Sequence, residues 1–160
     1  MERIALSHSK YLQNSKKEET LEIHDEINKI FNENFNKNQL NADMVKSINF
    51  KDWQQQYNTH LTNFKFNEKY ITDKNPLNFL WIGFIRIIFP NAKIIHCHRD
   101  PKETCLSIYK NNFPGTDLGW TYNQNELGTY YNLYKNLMKF WHNLIPNYIY
   151  DIKYEDLINN

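Results

Sequence analysis

Along the chain, apolar residues change from loosely spaced to tightly patterned near residue 70. Before that point Leu21, Ile27, Ile30, Phe31 and Phe35 fall on or near one helical face, with charged and Asn-rich positions on a solvated opposite side. A short apolar turn at Ile4–Ser7 precedes this helix and a patch around Asp52–Leu61 follows it, so residues 1–65 read as a helical segment. From residue 66 the texture is strand and helix in alternation. KYIT reads as a short strand, and Asn75-Pro76 supplies an N-cap and a proline suited to the first helical position. Leu77, Leu80, Trp81, Phe84, Ile85 and Ile88 then recur at helical spacing, which predicts a helix packed on a sheet.

Lys93–His98 is the next strand. Asp100-Pro101 repeats the same start signal, with Glu103 at the capping-box position, and predicts a helix to about Asn112. The loop FPGTDLGWTY leads into an amphipathic helix from about Asn123 to Ile145, whose aromatic and Leu stripe reads as core. Pro146 closes it, YIYDIKY is the third strand, and YEDLI opens a further helix.

This order predicts one α/β domain over residues 1–160, a parallel sheet with flanking helices. In such a sheet ligands bind at the C-terminal strand ends. Lys74 follows the first of these strands, Arg99 the second and Lys153-Tyr154 the third, so the expected rim is basic. Guanidinium and ammonium groups placed there suit a phosphate- or sulfate-bearing ligand through charge-assisted hydrogen bonds.

Composition narrows the setting. The formal net charge is +1, which argues against a nucleic-acid or anionic-membrane partner. Aromatic residues make up 16% against four glycines, so the chain folds despite a mean hydropathy of −0.76. MERIALSHSKYL lacks the apolar core of a signal peptide, and the apolar run Leu77–Phe89 is too short, and interrupted by Arg86, to span a bilayer. Cys97 and Cys105 suit reduced thiols, so the expected compartment is the cytoplasm.

Several of these segments together resemble the sulfotransferase family, most nearly its tyrosylprotein-sulfotransferase-like branch, which includes bacterial members carrying tetratricopeptide repeats. They are Asp73-Lys74-x-Pro76 after a strand, Arg99-Asp100-Pro101 after the next, Ser107 eight residues beyond Arg99, and Lys153-Tyr154-Glu155-Asp156-Leu157 after a third. TDKNPLNFLWIGFIRIIFPNAKIIHCHRDP and ELGTYYNLYKNLMKFW resemble the family's middle block and following helix, so the likeness covers residues 70–157 well and the first 35 loosely. The resemblance implies a P-loop-NTPase-like α/β fold and 3′-phosphoadenosine 5′-phosphosulfate as sulfuryl donor. It implies that Arg99 and Ser107 hold the donor's 3′-phosphate, that Tyr154 contacts the nucleotide, and that Lys74 stabilises charge on the transferring sulfuryl group. It further implies a Glu base for the acceptor hydroxyl, for which SKKEETLEI offers Glu18 and Glu19, with Glu19 the choice. A protein tyrosine, a carbohydrate or a small alcohol would each present such a hydroxyl.

The departures from the pattern carry their own expectation. The family's 5′-phosphosulfate loop is Gly-rich, whereas the first glycine here is Gly83, inside a helical stretch. MERIALSH resembles the helix that follows that loop, with His8 at a position where His is common. On that reading the first strand is missing and the fold is incomplete, a fragment inactive by itself with about half a donor site. Asn111, beside Lys110, stands where some members have a second basic residue. The alternatives are a non-catalytic nucleotide- or partner-binding relative that keeps the 3′-phosphate half-site, and, third, a kinase-like phosphotransferase. His96 and His98 share one strand face about 7 Å apart, but no third ligand stands at zinc spacing nearby, so the expectation is no metal. Trp120 and Tyr122 read as anchors of their loop rather than as an adenine platform.

Overall fold

A computed structural model of the chain describes residues 2–6, 46, 48–63, 70–113 and 118–158. The expected helix at Leu21–Phe35, and Glu18 and Glu19, lie outside the described residues. The elements in chain order are β1 (Glu2–Leu6), α1 (Phe50–Asn63), β2 (Tyr70–Asp73), a 3₁₀ turn (Asn78–Trp81) and α2 (Ile82–Ile88). They continue as β3 (Lys93–His98), α3 (Pro101–Lys110), a second 3₁₀ turn (Gly119–Tyr122), α4 (Gln124–Leu144), β4 (Ile149–Lys153) and α5 (Tyr154–Ile158). Hydrogen-bonded neighbours follow the order β2-β1-β3-β4. Residues 1–95 and 96–160 form two compact units, divided within β3.

The α/β architecture with parallel pairing agrees with the strand–helix alternation. The N-terminal segment does not: Glu2–Leu6 is a strand, not the helix expected of MERIALSH. It runs parallel to β2, with Arg3 opposite Ile71, and parallel to β3, with Ala5 opposite Ile94. Glu, Arg, Ala and Leu are all good helix formers, but a five-residue segment is too short to hold a helix by propensity. Between two partners it gains ladder hydrogen bonds on both edges, and tertiary pairing decides its state. β2 and β3, consecutive among the strands expected from residue 66 onward, are therefore separated by a strand the sequence pattern did not show.

In the first unit α1 packs on α2. Trp53 and Tyr57, one helical turn apart, are buried. Trp53 stacks on Phe84 with ring centroids 6.1 Å apart and planes 16° from parallel, and Phe50 meets Trp53 edge-on at 5.8 Å. Tyr57 leans on Phe89 at 5.0 Å. Gln54 donates from Nε2 to the Ile88 carbonyl at 2.6 Å, satisfying an acceptor left open at the end of α2.

The segment after β2 differs in phase from the expected helix. Asn75 accepts the Leu77 N–H on its side-chain oxygen at 2.8 Å, and the Asn78 N–H bonds back to the Asn75 carbonyl at 3.1 Å. The side-chain bond turns the backbone and the i→i+3 bond leads into a 3₁₀ turn, and regular α-helix begins only at Ile82. Three residues per turn over 78–81 rotates the following face. Ile82, Ile85 and Ile88 are buried, whereas Leu80 is exposed.

The second unit centres on α4. Asn123 caps it by accepting the N–H groups of Asn125 and Glu126 at 2.9 and 3.2 Å. Its stripe is only partly core. Leu127 and Met138 are buried, but Leu133, Phe140 and Leu144 on an adjoining face are exposed. The helix ends at Leu144, two residues before Pro146, and Asn147 takes φ 64°, the left-handed conformation that Asn tolerates better than most residues. Among the described residues no helix is long and apolar enough to cross a membrane.

Asp73, at the end of β2, fixes this first unit. Its carboxylate accepts Asn78 Nδ2 at 2.8 Å and the Tyr57 hydroxyl at 3.3 Å, linking strand, turn and α1. Removing it strands two donors on buried residues, each costing about 1–3 kcal/mol. Asp73→Ala is expected to lower the urea unfolding free energy by about 2–4 kcal/mol. Tyr57→Phe, which loses one of the two bonds, should cost less than Asp73→Ala.

Candidate functional site

The connection from β3 to α3 carries the densest set of expected site residues. Asp100 is the N-cap: its Oδ1 accepts the N–H groups of Lys102 and Glu103 at 2.9 and 3.1 Å, and Pro101 fills the first helical position. This stops the strand and starts the helix within three residues. Arg99 is thereby held one residue before the cap, at the C-terminal end of β3.

From there the helical repeat aligns the side chains. Glu103 and Ser107, four residues apart, lie on one face of α3. Glu103, expected to close a capping box, instead pairs with Arg99, with Oε2 2.5 Å from Nη2. The Arg99 guanidinium also sits over the Tyr154 ring, 5.2 Å from its centroid. Tyr154 is the first residue of α5, directly after β4. The contact joins the ends of β3 and β4. A guanidinium over an aromatic face is attracted by the ring quadrupole.

The pair with Glu103 occupies Nη2 only, and the guanidinium carries five N–H donors. Arg99 and Glu103 side chains are 42% and 54% exposed, so the pair is solvent-screened and worth little to stability. Ser107 is exposed on the second turn of α3, and its carbonyl accepts Asn111 Nδ2 at 2.8 Å. Asn111 ends the helix as its C-cap, next to Lys110.

Lys74 stands in the first unit, directly after β2, between Asp73 and the buried Asn75. Its backbone position is fixed by the bonds of both neighbours, and its side chain is half-buried. Lys153 ends β4 and is exposed. Glu19 lies outside the described residues.

Trp120 stacks on Tyr130 of α4 with centroids 3.9 Å apart and planes 12° from parallel. The Tyr122 hydroxyl accepts the Phe113 N–H at 2.8 Å and lies 3.0 Å from Asn112 Oδ1. Both aromatics anchor their own loop, as expected.

A second polar cluster involves His96 of β3, Tyr134 and His142 of α4, and Asp151 of β4. His96 Nδ1 is 2.6 Å from Asp151 Oδ1, and its Nε2 contacts the Tyr134 hydroxyl. His142 Nε2 is 3.2 Å from Asp151 Oδ2. Burial holds the His96 pKa below the ordinary imidazole value in spite of the Asp151 carboxylate, so the ring is neutral at pH 7. Burial raises the Tyr134 phenol above its ordinary range, with the neighbouring Tyr131 and Asp151 adding to the shift. The pattern search along the sequence passed over this cluster, because its members stand 46 and 55 residues from His96 and carry no local motif.

Residues 2–160 match the model of the Sulfotransferase family. The chain belongs to the sulfotransferase family. An uncharacterized protein of Aquifex aeolicus (strain VF5) is 38% identical over 90 residues, which is 54% of this chain and 12% of that relative. The chain thus matches only a small part of the relative's length. No solved structure matches. Family membership agrees with the resemblance carried by the Asp-Lys-x-Pro and Arg-Asp-Pro segments of this sulfotransferase-family chain.

Two outcomes follow from the local geometry. Asp100→Ala removes a two-bond cap and should destabilise the chain by about 1 kcal/mol, whereas Glu103→Gln should cost less than that, as read by thermal unfolding. Burial pushes the Cys97 and Cys105 thiols above the ordinary value, with Glu155 adding to the shift at Cys97. Their alkylation by iodoacetamide should therefore run slower than that of free cysteine at pH 8 and keep rising with pH after free cysteine has levelled off.

Proposed function

We propose that this chain is part of an enzyme that transfers a sulfuryl group from 3′-phosphoadenosine 5′-phosphosulfate to an acceptor hydroxyl. The observation that carries the reading is Arg99: a guanidinium at a strand end, one residue before a capped helix, and over the Tyr154 ring. The donor set fits the group. A guanidinium fork can pair two oxygens of a 3′-phosphate while a hydroxyl supplies a further bond, and each charge-assisted bond is worth about 1.5–3 kcal/mol.

When bound, the donor would supply a sulfuryl group activated by its phosphosulfate anhydride linkage, with the nucleotide phosphate as leaving group. Arg99 and Ser107 then bind the 3′-phosphate, Tyr154 supports the guanidinium and contacts the nucleotide, and Glu103 keeps Arg99 extended along α3. Lys74, as a fixed cation, stabilises negative charge that grows on the transferring group. Glu19 takes the proton from the acceptor hydroxyl as that oxygen bonds to sulfur and the sulfur–phosphate oxygen bond breaks. The acceptor class is a hydroxyl of a protein tyrosine, a carbohydrate or a small molecule.

Binding of adenosine 3′,5′-bisphosphate, the product nucleotide, isolates the 3′-phosphate half of this reading from turnover. By calorimetry, Arg99→Ala should weaken it by about 2–4 kcal/mol. Equal affinity of the variant and the natural chain would overturn the assignment. Nucleotide binding without sulfuryl transfer to any hydroxyl acceptor would favour the non-catalytic relative.

A further inference from the structure

The geometry points to a divalent transition-metal site in the second unit, formed by His96 of β3, His142 of α4 and Asp151 of β4. One ligand atom from each lies within 4.8 Å of the other two. The shorter separations are 2.6 Å from His96 Nδ1 to Asp151 Oδ1 and 3.2 Å from His142 Nε2 to Asp151 Oδ2. Ligands around a four-coordinate zinc ion, at bonds of about 2.0–2.2 Å, stand about 3.3 Å apart. The 2.6 and 3.2 Å contacts, made to the two different oxygens of Asp151, and the 4.8 Å limit bracket that spacing, so the side chains need adjustments of up to about 1.5 Å to reach it.

The donor chemistry selects among ions. Two imidazoles and one carboxylate suit zinc and its first-row neighbours, whereas magnesium and calcium take oxygen ligands. A His₂-carboxylate set leaves a fourth position for water, as three-ligand zinc sites do. The exposures agree: the His96 side chain is 13% exposed, while His142 and Asp151 are 36% and 42% exposed and open that side to solvent.

An outer partner is in place as well. Ligating histidines bond through their second ring nitrogen, which fixes the ring's orientation. His96 does so through Nε2 to Tyr134, whose ring lies against the imidazole at 5.8 Å between centroids. Without the ion, the neutral ring donates from Nδ1 to Asp151 and accepts the Tyr134 hydroxyl at Nε2. On binding, the Nδ1 proton moves to Nε2, where Tyr134 turns to accept it, and the Nδ1 lone pair goes to the metal. His142 binds as the neutral imidazole, so any proton it carries is released to solvent. The ion takes the place of the two Asp151–histidine contacts and ties β3, α4 and β4 together three residues before Arg99. The site stands on these residues alone and does not depend on the sulfuryl donor.

The test is a titration of the full, tag-free chain with Zn²⁺ by calorimetry and with Co²⁺ by visible absorption. One saturable equivalent is expected, with the intense visible bands of low-coordinate Co²⁺. Asp151→Asn, which keeps the shape of the side chain, and His142→Ala should each weaken Zn²⁺ binding at least about tenfold, and Tyr134→Phe by about tenfold. Far-UV circular dichroism identifies which variants fold. Zn²⁺ binding undiminished in a folded Asp151→Asn or His142→Ala chain would overturn the assignment by placing the ion on other histidines. Absence of saturable binding to the natural chain would overturn it whatever the variants do, leaving the cluster a hydrogen-bonded brace.

Discussion

The carboxylate of Asp100 sets the geometry on which the candidate site depends. By taking two N–H groups from the first turn of α3 it converts a strand into a helix within three residues. That conversion fixes where Arg99 leaves the strand, puts Glu103 on the third helical position and brings Ser107 onto the same face one turn later. Tyr154 completes the arrangement from β4, because a cation over an aromatic ring is attracted to it while retaining its hydrogen-bond donors.

A similar economy governs the ends of β2. Asp73 and Asn75 flank Lys74 and both spend their side chains on the local fold, the first on Tyr57 and Asn78, the second on the Leu77 N–H. The residues on either side of the lysine hold the backbone of this strand end. The two strand ends thus share a design in which short polar side chains cap and turn the backbone and a basic residue beside them is positioned by it.

How much of this was legible depends on the range of the interaction that fixes each element. The caps of α3 and α4 are local: Asp100-Pro101 and Asn123 announce them, and the helices begin there. Asn75-Pro76 reads as a helix start, but a 3₁₀ stretch follows it and regular α-helix begins only at Ile82, which exposes Leu80 and buries Ile82. β1 was hidden because its residues favour helix and only pairing with two distant strands makes it a strand. Arg99 over Tyr154 could be anticipated from the parallel strand ends, whereas the Arg99–Glu103 pair competes with a capping box written in the same residues. The His96–His142–Asp151 cluster had no signature in the chain, since its members come from a strand, a helix and another strand. Glu19 was chosen from a loose motif and lies outside the described residues.

Arginine side-chain NMR addresses the role of Arg99 without a substitution. The chain has three arginines, Arg3, Arg86 and Arg99, so their Nε–Hε resonances can be told apart. If Arg99 holds the 3′-phosphate, its resonance should shift and saturate on titration with adenosine 3′,5′-bisphosphate, and adenosine 5′-monophosphate, which lacks that group, should leave it in place. An Arg99 resonance that does not move while the bisphosphate saturates the chain would contradict the assignment of this strand end as the donor's 3′-phosphate site.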